Sequence, residues 1–424
     1  MEVKPGYKQT ELGVIPEDWE IVVLDNVSSK IQDGTHFSPK VGGNDYFYIT
    51  SKNIGFGKLN LNHVERIDAI QHKNIYRRCD VKKGDILLTK DGINTGNAAI
   101  NDIDEEFSLL SSVAFIRLQE RKFNNKFFMY QLLSDGGQGR IHNLLAGNAI
   151  TRLTLDKIKK LLFIVPPSKS EQDKVAEPLI YIDSLITSLE KLIAKKKLIK
   201  QGVMQELLTG KRRLPGFNGV WKEKTYGEVF QFLSTATYSR DSLIDSGDIK
   251  YVHYGDVHTK FDDCVDIGNA DLPSILPAKL KSYALLETGD VIIVDASEDY
   301  SGIGKSVEVI NNSNVRAIAG LHTFLLRDTA HVFVDGYRAF IHSIGSVKKQ
   351  FDFLATGMKV YGVSKNNLKK VTVPVPPKDE QKAIVAVIRS MTNEISKFEI
   401  QLSKYRLLKQ GMMQELLTGR IRLL

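Results

Sequence analysis

Cysteine and long apolar segments are both scarce in this sequence of 424 residues. Its two cysteines, Cys79 and Cys264, lie far apart and belong to no Cys-x-x-Cys pair, which argues against a disulfide framework or a zinc ribbon. No stretch approaches the roughly 18 apolar residues of a membrane span, and the N-terminus lacks the apolar centre of a signal peptide. We therefore expect a soluble protein of the reducing cytoplasm.

The sequence also lacks the motifs with which enzymes bind common cofactors. It contains no Asn/Asp-Pro-Pro-Tyr/Phe tetrapeptide, no Gly-x-Gly-x-x-Gly after a predicted strand, and no phosphate loop ending in Gly-Lys-Ser/Thr. We therefore expect this chain to bind neither S-adenosylmethionine nor ATP.

Three fragments of functional motifs are incomplete. Residues 302–305 (Gly-Ile-Gly-Lys) resemble part of a phosphate loop, but no helix follows, which favours a turn. Residues 80–82 (Asp-Val-Lys) have the end of a metal-nuclease triad without an upstream acidic partner. His253 and His258 have no cysteine or carboxylate cluster beside them, so we expect no metal site.

Size and charge set the broad class. An apolar fraction of 42% over 424 residues is enough for roughly two to four domains. The net charge of +8 is compatible with a polyanionic partner such as DNA. A basic protein can also carry such charge merely to stay soluble, so charge alone leaves the partner open.

The strongest positive feature is an internal repeat. Residues 200–210, Lys-Gln-Gly-Val-Met-Gln-Glu-Leu-Leu-Thr-Gly, recur with one substitution as residues 409–419, and 409 − 200 gives an offset of 209. A period of half the chain indicates a duplicated module rather than a solenoid of short repeats.

Each repeat ends a predicted long helix. Pro166 and Pro167 precede a capping box at residues 170–173, which predicts a helix from Ser170 to Leu208 of about 58 Å, ended by Gly210. Pro178 is expected to kink that helix or delay its start. The apolar spacing slips near residues 195–197 and resumes at Ile199.

Apolar residues in both helices follow steps of three and four. The first seam is Val175, Leu179, Ile182, Ile186, Leu189 and Ile193, and the second, 209 residues later, is Ile384, Ile388, Met391, Ile395, Phe398 and Leu402. Their identical register predicts a coiled coil of the two helices. The alternative is that each helix docks only on its own domain.

The segments before the helices correspond more loosely. Strands are predicted at residues 46–49, 86–88 and 112–118, and short helices at 123–134 and 156–162. The matching positions include Trp19 with Trp221, Gly84-Asp85 with Gly289-Asp290, Phe115 with Phe324, and Gly147 with Gly357. Strand positions correspond whereas loops do not, which predicts two domains of one α+β fold with different targets.

These patterns predict four segments. The first domain comprises residues 1–165 and its helix residues 166–213; the second domain comprises residues 214–375 and its helix residues 376–424. The fold class is therefore mixed α and β, with two pseudo-symmetric domains and two long helices that pair with each other.

Polar loops supply the candidate DNA contacts. In the first domain these are Ser51, Lys52, Asn53, Lys90, Asn94, Asn97 and Arg152. In the second they are Tyr254, Asp256, Lys260, Ser297, Tyr300, Lys305, Lys359 and Tyr361. Asparagine can form two hydrogen bonds with adenine, and lysine reaches guanine or phosphate. The alternative is that these segments are ordinary turns.

The order of a variable domain, Pro-Pro, Glu-Gln, a long helix and Gln-Glu-Leu-Leu-Thr-Gly, repeated once, resembles the specificity subunit of type I restriction-modification systems. The opening residues 6–19 also resemble that family's usual N-terminus. Pro178 departs from the repeat, because Val387 occupies the equivalent position.

The resemblance implies a non-catalytic DNA-binding subunit. Two long antiparallel helices, packed as a coiled coil, would join and separate two recognition domains, each of which would bind one half of a split, asymmetric DNA sequence. The helical regions would bind two methyltransferase subunits. Restriction-translocase subunits would join them for cleavage. S-adenosylmethionine, ATP and Mg²⁺ would then be bound by the partners.

Two other classes of function remain open from the residues alone. The chain could be a coiled-coil scaffold that binds no DNA, which a salt-dependent gel shift would reveal. It could also be an autonomous DNA-modifying enzyme with an unrecognised motif, which turnover by the purified chain would reveal.

Overall fold

The computed structural model describes residues 4–145, 152–297, 302–355 and 361–423. It divides into two compact units. Unit 1 comprises Met1–Glu190 and Ile400–Leu424, and unit 2 comprises Lys191–Glu399. Each unit therefore contains one globular domain and one end of each long helix. Gly147 and Gly357, which the sequence places at equivalent positions, lie outside the described residues.

Unit 1 combines eleven named strands with five short helices and parts of both long ones. The strands are β1 (Tyr7–Thr10), β2 (Gly13–Pro16), β3 (Glu20–Val23), β4 (Ser28–Asp33), β5 (Tyr46–Ile49), β6 (Glu65–Ile67), β7 (Ile86–Thr89), β8 (Ala98–Ile100), β9 (Ser108–Leu109), β10 (Val113–Leu118) and β11 (Leu162–Val165). The helices are α1 (Leu24–Val27), α2 (Ala69–Tyr76), α3 (Asn125–Leu133), α4 (Asp135–Leu145), α5 (Leu155–Lys159) and the long α6 (Lys169–Leu208).

Unit 2 repeats this plan after α6. Its strands are β12 (Lys222–Thr225), β13 (Gln231–Leu233), β14 (Ile249–Val252), β15 (Cys264–Asp266), β16 (Ser274–Ile275), β17 (Val291–Val294), β18 (Ala296–Ser297), β19 (Ser306–Ile310), β20 (Ala317–Ala319), β21 (Thr323–Arg327), β22 (Tyr361–Gly362) and β23 (Thr372–Val375). Its helices are α7 (Tyr226–Val229), α8 (Tyr254–Thr259), α9 (Gly345–Leu354), α10 (Lys365–Leu368) and the long α11 (Lys378–Leu416).

The sheets of the two units have matching topology. Unit 1 has a four-stranded sheet of order β4-β10-β7-β8 and a three-stranded sheet of order β6-β5-β9. Unit 2 has the corresponding sheets β13-β21-β17-β19-β15 and β16-β14-β20. One strand pair in each three-stranded sheet is parallel, β5 with β9 and β14 with β20. The central strands β7 and β17 are buried along their whole length, which explains their continuous apolar sequences.

The last strand before each long helix pairs with the strand that opens its domain. Leu162–Val165 is antiparallel to Glu20–Val23, and Thr372–Val375 is antiparallel to Lys222–Thr225. The sequence predicts a helix as far as residue 162, but the structure ends α5 at Lys159 and continues with strand β11. The chain thus returns to the start of its domain before the long helix begins.

The long helices are antiparallel and pack on one another in each unit. In unit 1, Asp183 and Glu190 of α6 pair with Lys409 and Arg406 of α11, each at 2.7 Å. In unit 2, Lys196 of α6 pairs with Glu394 of α11 at 2.7 Å. At 1.5 Å per residue, helices of 40 and 39 residues are each about 60 Å long.

The predicted seam positions are turned inward. Those that are buried are Val175, Leu179, Ile182, Leu189, Ile193, Ile384, Ile388, Ile395 and Leu402. Ile186, Met391 and Phe398 are half-buried. The sequence predicts that the first seam resumes through Ile199, Val203 and Leu207; Leu207 is buried and Val203 half-buried, whereas Ile199 is 45% exposed.

The start of α6 differs from the prediction in two ways. Its cap is Ser168 rather than Ser170, since the Glu171 amide donates to the Ser168 hydroxyl oxygen at 3.2 Å. The helix already begins at Lys169 and includes Pro178, so proline does not delay its start. None of the described helices combines the length and apolarity that a membrane span requires.

The helix ends belong to the domain cores. In unit 1, Val175 and Leu179 of α6 join Leu416 of α11 in one apolar cluster with the four-stranded sheet. In unit 2, Leu207 of α6 and Ile384 of α11 occupy the equivalent cluster. The Leu-Leu of the repeated segment is therefore core in both units.

Candidate nucleic-acid interface

In each unit, a cluster of Trp, Glu and Arg side chains connects the domain to the ends of the long helices. In the first cluster, the Trp19 indole N–H donates to Glu171 Oε1 at 3.2 Å, and Arg422 donates to both oxygens of Glu171 at 2.8 and 3.0 Å. Arg422 also donates to both oxygens of Asp18, at 2.9 Å each. These bonds join the start of the domain, the start of α6 and the residues that follow α11.

The second cluster has the same construction in unit 2. The Trp221 indole donates to Glu380 Oε2 at 2.9 Å, and Arg213 Nη2 donates to the same oxygen at 2.6 Å. Arg213 also donates to the carbonyl of Gly219 at 2.9 Å. The Glu of each Glu-Gln pair thus bonds the Arg that follows the other helix's Leu-Leu-Thr-Gly.

The glutamine of each Glu-Gln pair holds the neighbouring loop. Gln172 Oε1 accepts from the Asn124 amide at 2.9 Å, and Gln381 Oε1 accepts from the Val334 amide at 2.9 Å. The Glu-Gln pair therefore has a structural role in both halves, because its glutamate and its glutamine each form hydrogen bonds with residues of the adjoining domain.

The Gly-Asp strands are fixed by equivalent buried ion pairs. Arg117 forms two hydrogen bonds with Asp85, at 2.9 and 2.8 Å, and Arg327 forms two with Asp290, each at 2.8 Å. Burial raises the pKa of Asp85. These pairs position the strand from which each candidate DNA-binding loop emerges.

In unit 1 the three predicted polar clusters lie together. The side-chain amide of Asn97 donates to the carbonyl of Ile54 at 3.2 Å, which places the β7–β8 loop beside residues 51–54. The Ser51 amide donates to the Ser112 hydroxyl oxygen at 3.2 Å, and the Lys90 amide donates to the Ser112 carbonyl at 2.9 Å. Ser112 therefore links the first two clusters.

Arg152 completes this surface. Its Nε lies 3.0 Å from Asp91 Oδ1, and the amide of Leu153 donates to the carbonyl of Lys90 at 3.0 Å. Gly92 and Gly96 have φ of 91° and 96°, a backbone that L side chains rarely adopt, so both glycines are required by the turn. The loop between β7 and β8 is thus held in one conformation.

Two of the predicted contacts in unit 1 are occupied inside the domain. Lys90 is 2% exposed, and its ammonium lies 2.9 Å from Asp33 Oδ2. Asn53 is buried and accepts from the Thr50 amide at 2.9 Å. Lys52 is exposed, and Ser51, Asn94, Asn97 and Arg152 are half-buried, so a direct contact with bases or phosphates stays a prediction for these five.

In unit 2 the structure gathers Tyr254 and Lys305 around a group of imidazoles. The Tyr254 ring lies edge-on to His322 at 5.4 Å, and His322 Nδ1 lies 3.3 Å from Asp295 Oδ1. Lys305 Nζ donates to the His258 carbonyl at 3.0 Å. Burial raises the pKa of Asp295, and burial together with Arg240 lowers the pKa of His253.

Other positions in unit 2 are engaged internally or lie outside the described residues. Asp256 is fully buried and accepts from both Arg240 Nη atoms at 2.9 and 3.0 Å. Lys260 pairs with Asp271 at 3.2 Å. Ser297 and Tyr361 are paired residues of strands β18 and β22. Tyr300 and Lys359 lie outside the described residues.

The structure adds a basic edge that the sequence analysis missed. A cavity of about 500 Å³ in unit 1 is lined by His36, Arg77 and Arg78, next to Asp33, the partner of Lys90. Arg77 and Arg78 are exposed and form no ion pair within the described part of the chain. Two adjacent arginines in the sequence can indicate a basic surface, but no sequence pattern shows that they lie near the Lys90 loop.

Within the described part of the chain, these surfaces carry no cluster of metal ligands. Among the described residues, no group of three His, Cys, Asp or Glu side chains could hold an ion. Asp80, from the incomplete nuclease motif, bonds Lys30 and lies 3.2 Å from Arg117. It is therefore part of the domain's ion-pair network.

A second pair of equivalent features lies at the helix ends. In unit 1 a cavity of about 700 Å³ is lined by Lys409, Gln410, Met413 and Gln414 of the repeated segment. In unit 2 a cavity of about 540 Å³ is lined by the equivalent residues, Lys200, Gln201, Met204 and Gln205. We call these the first cavity and the second cavity.

A family model described as the type I restriction modification DNA specificity domain matches the chain twice, over residues 16–201 and 218–403. The chain belongs to this family. The specificity domain thus occurs once in each half of the chain, as the resemblance of the sequence predicts.

Similarity to individual members extends over the whole chain. The type I restriction enzyme MjaVIII specificity subunit of Methanocaldococcus jannaschii is 22% identical, covering 96% of this chain and 94% of the relative. The predicted MjaX specificity subunit of the same organism is 24% identical, covering 98% and 97%.

Solved structures share the fold of this specificity subunit. A chain from a type I restriction-modification system has a TM-score of 0.58 at 17% identity, covering 96% of this chain and 99% of that one. The S subunit from M. genitalium has a TM-score of 0.55 at 15% identity, covering 98% of both chains. The predicted fold class is therefore confirmed.

Proposed function

We propose that this chain is the non-catalytic, sequence-recognising subunit of a type I restriction-modification complex. Each domain binds one half of a bipartite, asymmetric DNA site, and two methyltransferase subunits dock on the repeated helix-end surface. Restriction-translocase subunits join the same assembly. S-adenosylmethionine, ATP and Mg²⁺ are bound by the partners, which also carry out base flipping and methyl transfer.

The observation that carries this proposal is the contrast between repeated scaffold and unrepeated loops. The Trp–Glu–Arg clusters use equivalent residues in both units, whereas the loop after the Gly-Asp strand carries Lys90 in one and Asp295 in the other. A surface that is repeated suits a partner bound twice, and loops that differ suit two different DNA half-sites.

A domain exchange tests the recognition part of the proposal. Residues 20–150 are replaced by the corresponding segment of another family member, and methylated adenines are mapped in cells that also express the methyltransferase. We expect one half-sequence to change while the other half and the unread gap stay the same. Changes in both halves, or in neither, would contradict the proposal.

The long helices give a second test. Inserting one turn into α6 and one into α11 at facing positions should alter the number of unread base pairs between the half-sequences. Both half-sequences should be retained, because the recognition loops are untouched. An altered half-sequence would contradict a spacer role for the helices.

Purified chain alone separates the rival functions. We expect salt-dependent DNA binding and no methylation or cleavage when Mg²⁺, ATP and S-adenosylmethionine are supplied. Binding that is absent even with the methyltransferase would favour a scaffold, and turnover by the chain alone would favour an autonomous enzyme.

A further inference from the structure

The first and second cavities differ in charge although their shared walls are equivalent. The first is lined by five cationic and three anionic side chains, namely Lys58, Arg140, Arg406, Lys409 and Arg420 with Asp135, Asp183 and Glu190. The second is lined by two of each sign, Lys197 and Lys200 with Asp262 and Glu399. Unit 1 therefore has an excess of positive charge at this position.

Most of the cations at the first cavity are already paired. Lys409 lies 2.7 Å from Asp183, and Arg406 and Lys58 lie 2.7 and 3.5 Å from Glu190. Arg420 lies 3.3 Å from Glu415. Of the five cations at this cavity, these pairs account for all but Arg140.

Arg140, in α4, has no hydrogen-bond or ion-pair partner anywhere in the described residues. Its side chain is half-buried and lies near the first turn of its own helix, beside Gly136. Burial lowers the pKa of this guanidinium, because the charged form has lost water without gaining an anion. A desolvated cation without a counter-ion costs free energy in the isolated chain.

In unit 2 the side chain at the equivalent helix position forms hydrogen bonds within its own domain. The buried positions Gly137 and Ile141 of α4 recur 210 residues later as Val347 and Phe351 of α9, and this offset makes Gln350 the counterpart of Arg140. The amide N–H of Gln350 donates to the Thr372 carbonyl at 2.9 Å, and its oxygen accepts from the Thr372 amide at 2.8 Å. Neutral glutamine thus has a complete set of partners, whereas Arg140 lacks one.

We propose that the first cavity receives an acidic side chain of the methyltransferase subunit, with Arg140 as its counter-ion. The proposal rests on the proposed function for the identity of the partner. Arginine and carboxylate form paired, charge-assisted hydrogen bonds, and Met413, Leu417 and Ile186 provide an apolar wall for the aliphatic stem of a glutamate. The second cavity, which has no equivalent cation, receives the same partner without this ion pair.

A partner-free experiment tests the cavity itself. Hexanoate, which joins a carboxylate to a short apolar chain, is added to the full chain, with hexanol and hexylamine as matched controls. We expect hexanoate alone to raise the Tm of the wild type and to leave that of Arg140→Gln unchanged. Equal effects of hexanoate and hexanol, or an unchanged response in R140Q, would overturn carboxylate binding.

The stability of the variants separates a ligand role from a structural one. Arg140→Gln should unfold at the same or a higher Tm than the wild type, because it removes an unpaired, desolvated charge. Lys126→Gln, an exposed change of the same charge in the same unit, is the control. A marked fall in the Tm of R140Q alone would assign Arg140 to the fold and overturn the proposal.

Binding of the methyltransferase tests the partner. Titration calorimetry should give two sites per chain, and R140Q should weaken one of them roughly 10- to 100-fold, the loss expected for a charged hydrogen-bond pair. K126Q should leave both unchanged. Two unaltered sites in R140Q would overturn the partner assignment. A wild type that binds no methyltransferase would reject the proposed function, and the hexanoate result would still decide whether the cavity selects carboxylates.

Discussion

The two units build the same scaffold around opposite charges at one loop position. After the Gly-Asp strand, unit 1 places a buried Lys90 against Asp33, and unit 2 places Asp295 against His322. The strand below is held in both by the same arginine–aspartate pair, at 2.8 to 2.9 Å. The loop can therefore reverse its charge because the scaffold's own ion pairs do not depend on it.

The scaffold itself is not perfectly symmetric. In the first Trp–Glu–Arg cluster, Arg422 has two carboxylates, Asp18 and Glu171. In the second, Arg213 pairs with one carboxylate in the described part of the chain, that of Glu380. Equivalent substitutions in the two clusters should therefore have unequal consequences.

The largest expected effect is the loss of the second cluster's carboxylate. Glu380→Ala leaves Arg213 and the Trp221 indole without their shared acceptor, at a site where the Glu380 side chain is 1% exposed. We expect a loss of about 3 kcal/mol in the unfolding free energy of unit 2. Glu171→Ala should cost unit 1 less, because Arg422 retains Asp18.

Tryptophan fluorescence can report each unit separately, because the chain has two tryptophans, one in each cluster. Urea unfolding is followed through Trp221 in a Trp19→Phe background and through Trp19 in a Trp221→Phe background. Equal losses for E380A and E171A would show that Asp18 does not compensate. A larger loss for E171A would reverse the comparison.

The next effect is the acid sensitivity that a buried histidine gives to unit 2. Burial, with Lys305 and Lys348 nearby, lowers the pKa of His342 from 6.5 to about 4, and its Nδ1 lies 2.8 Å from the Ser306 hydroxyl. Helix α3 of unit 1, Asn125–Leu133, contains no histidine. Below pH 6.5 the unfolded state binds a proton that the folded state does not, so the protonation of His342 alone should cost unit 2 about 3 kcal/mol of unfolding free energy by pH 4.

The same single-tryptophan variants measure this difference between the units. His342→Gln should flatten the pH dependence of unit 2 between pH 6.5 and pH 4 and leave that of unit 1 as it was. Identical pH profiles for the wild type and H342Q would exclude His342 as the source.

Sequence periodicity was enough to predict the duplicated architecture. The seam of Ile384 and Ile388 follows from steps of three and four, and Gly210 and Gly419, at φ of 68° and 70°, end the helices as the sequence indicates. The φ values of both favour glycine, and a Cβ at Gly419 would also lie 2.6 Å from Cγ of Pro16. Such features are local in the chain, so the sequence contains the necessary signal.

Long-range polar pairing could not be predicted in the same way. Glu171 bonds Arg422, 251 residues later, and no local pattern specifies that pair. The candidate contacts Lys90, Asn53 and Asp256 have the composition of DNA-binding loops, yet each is buried with an internal partner. Loop composition does not show which polar side chain finds a partner from a distant strand.

The smallest expected effect concerns Arg77 and Arg78, the exposed pair that lines the same cavity as Asp33. If they contact phosphates, the double variant Arg77→Ala/Arg78→Ala should weaken DNA binding for every sequence and reduce the salt slope of log K by about two. Lys126→Ala, exposed elsewhere in unit 1, is the control. The methylated half-sequences should stay the same, because phosphate contacts position the protein without discriminating bases. An unchanged slope would remove this edge from the DNA interface, and a changed half-sequence would make it part of base recognition, the role now predicted for the neighbouring loop.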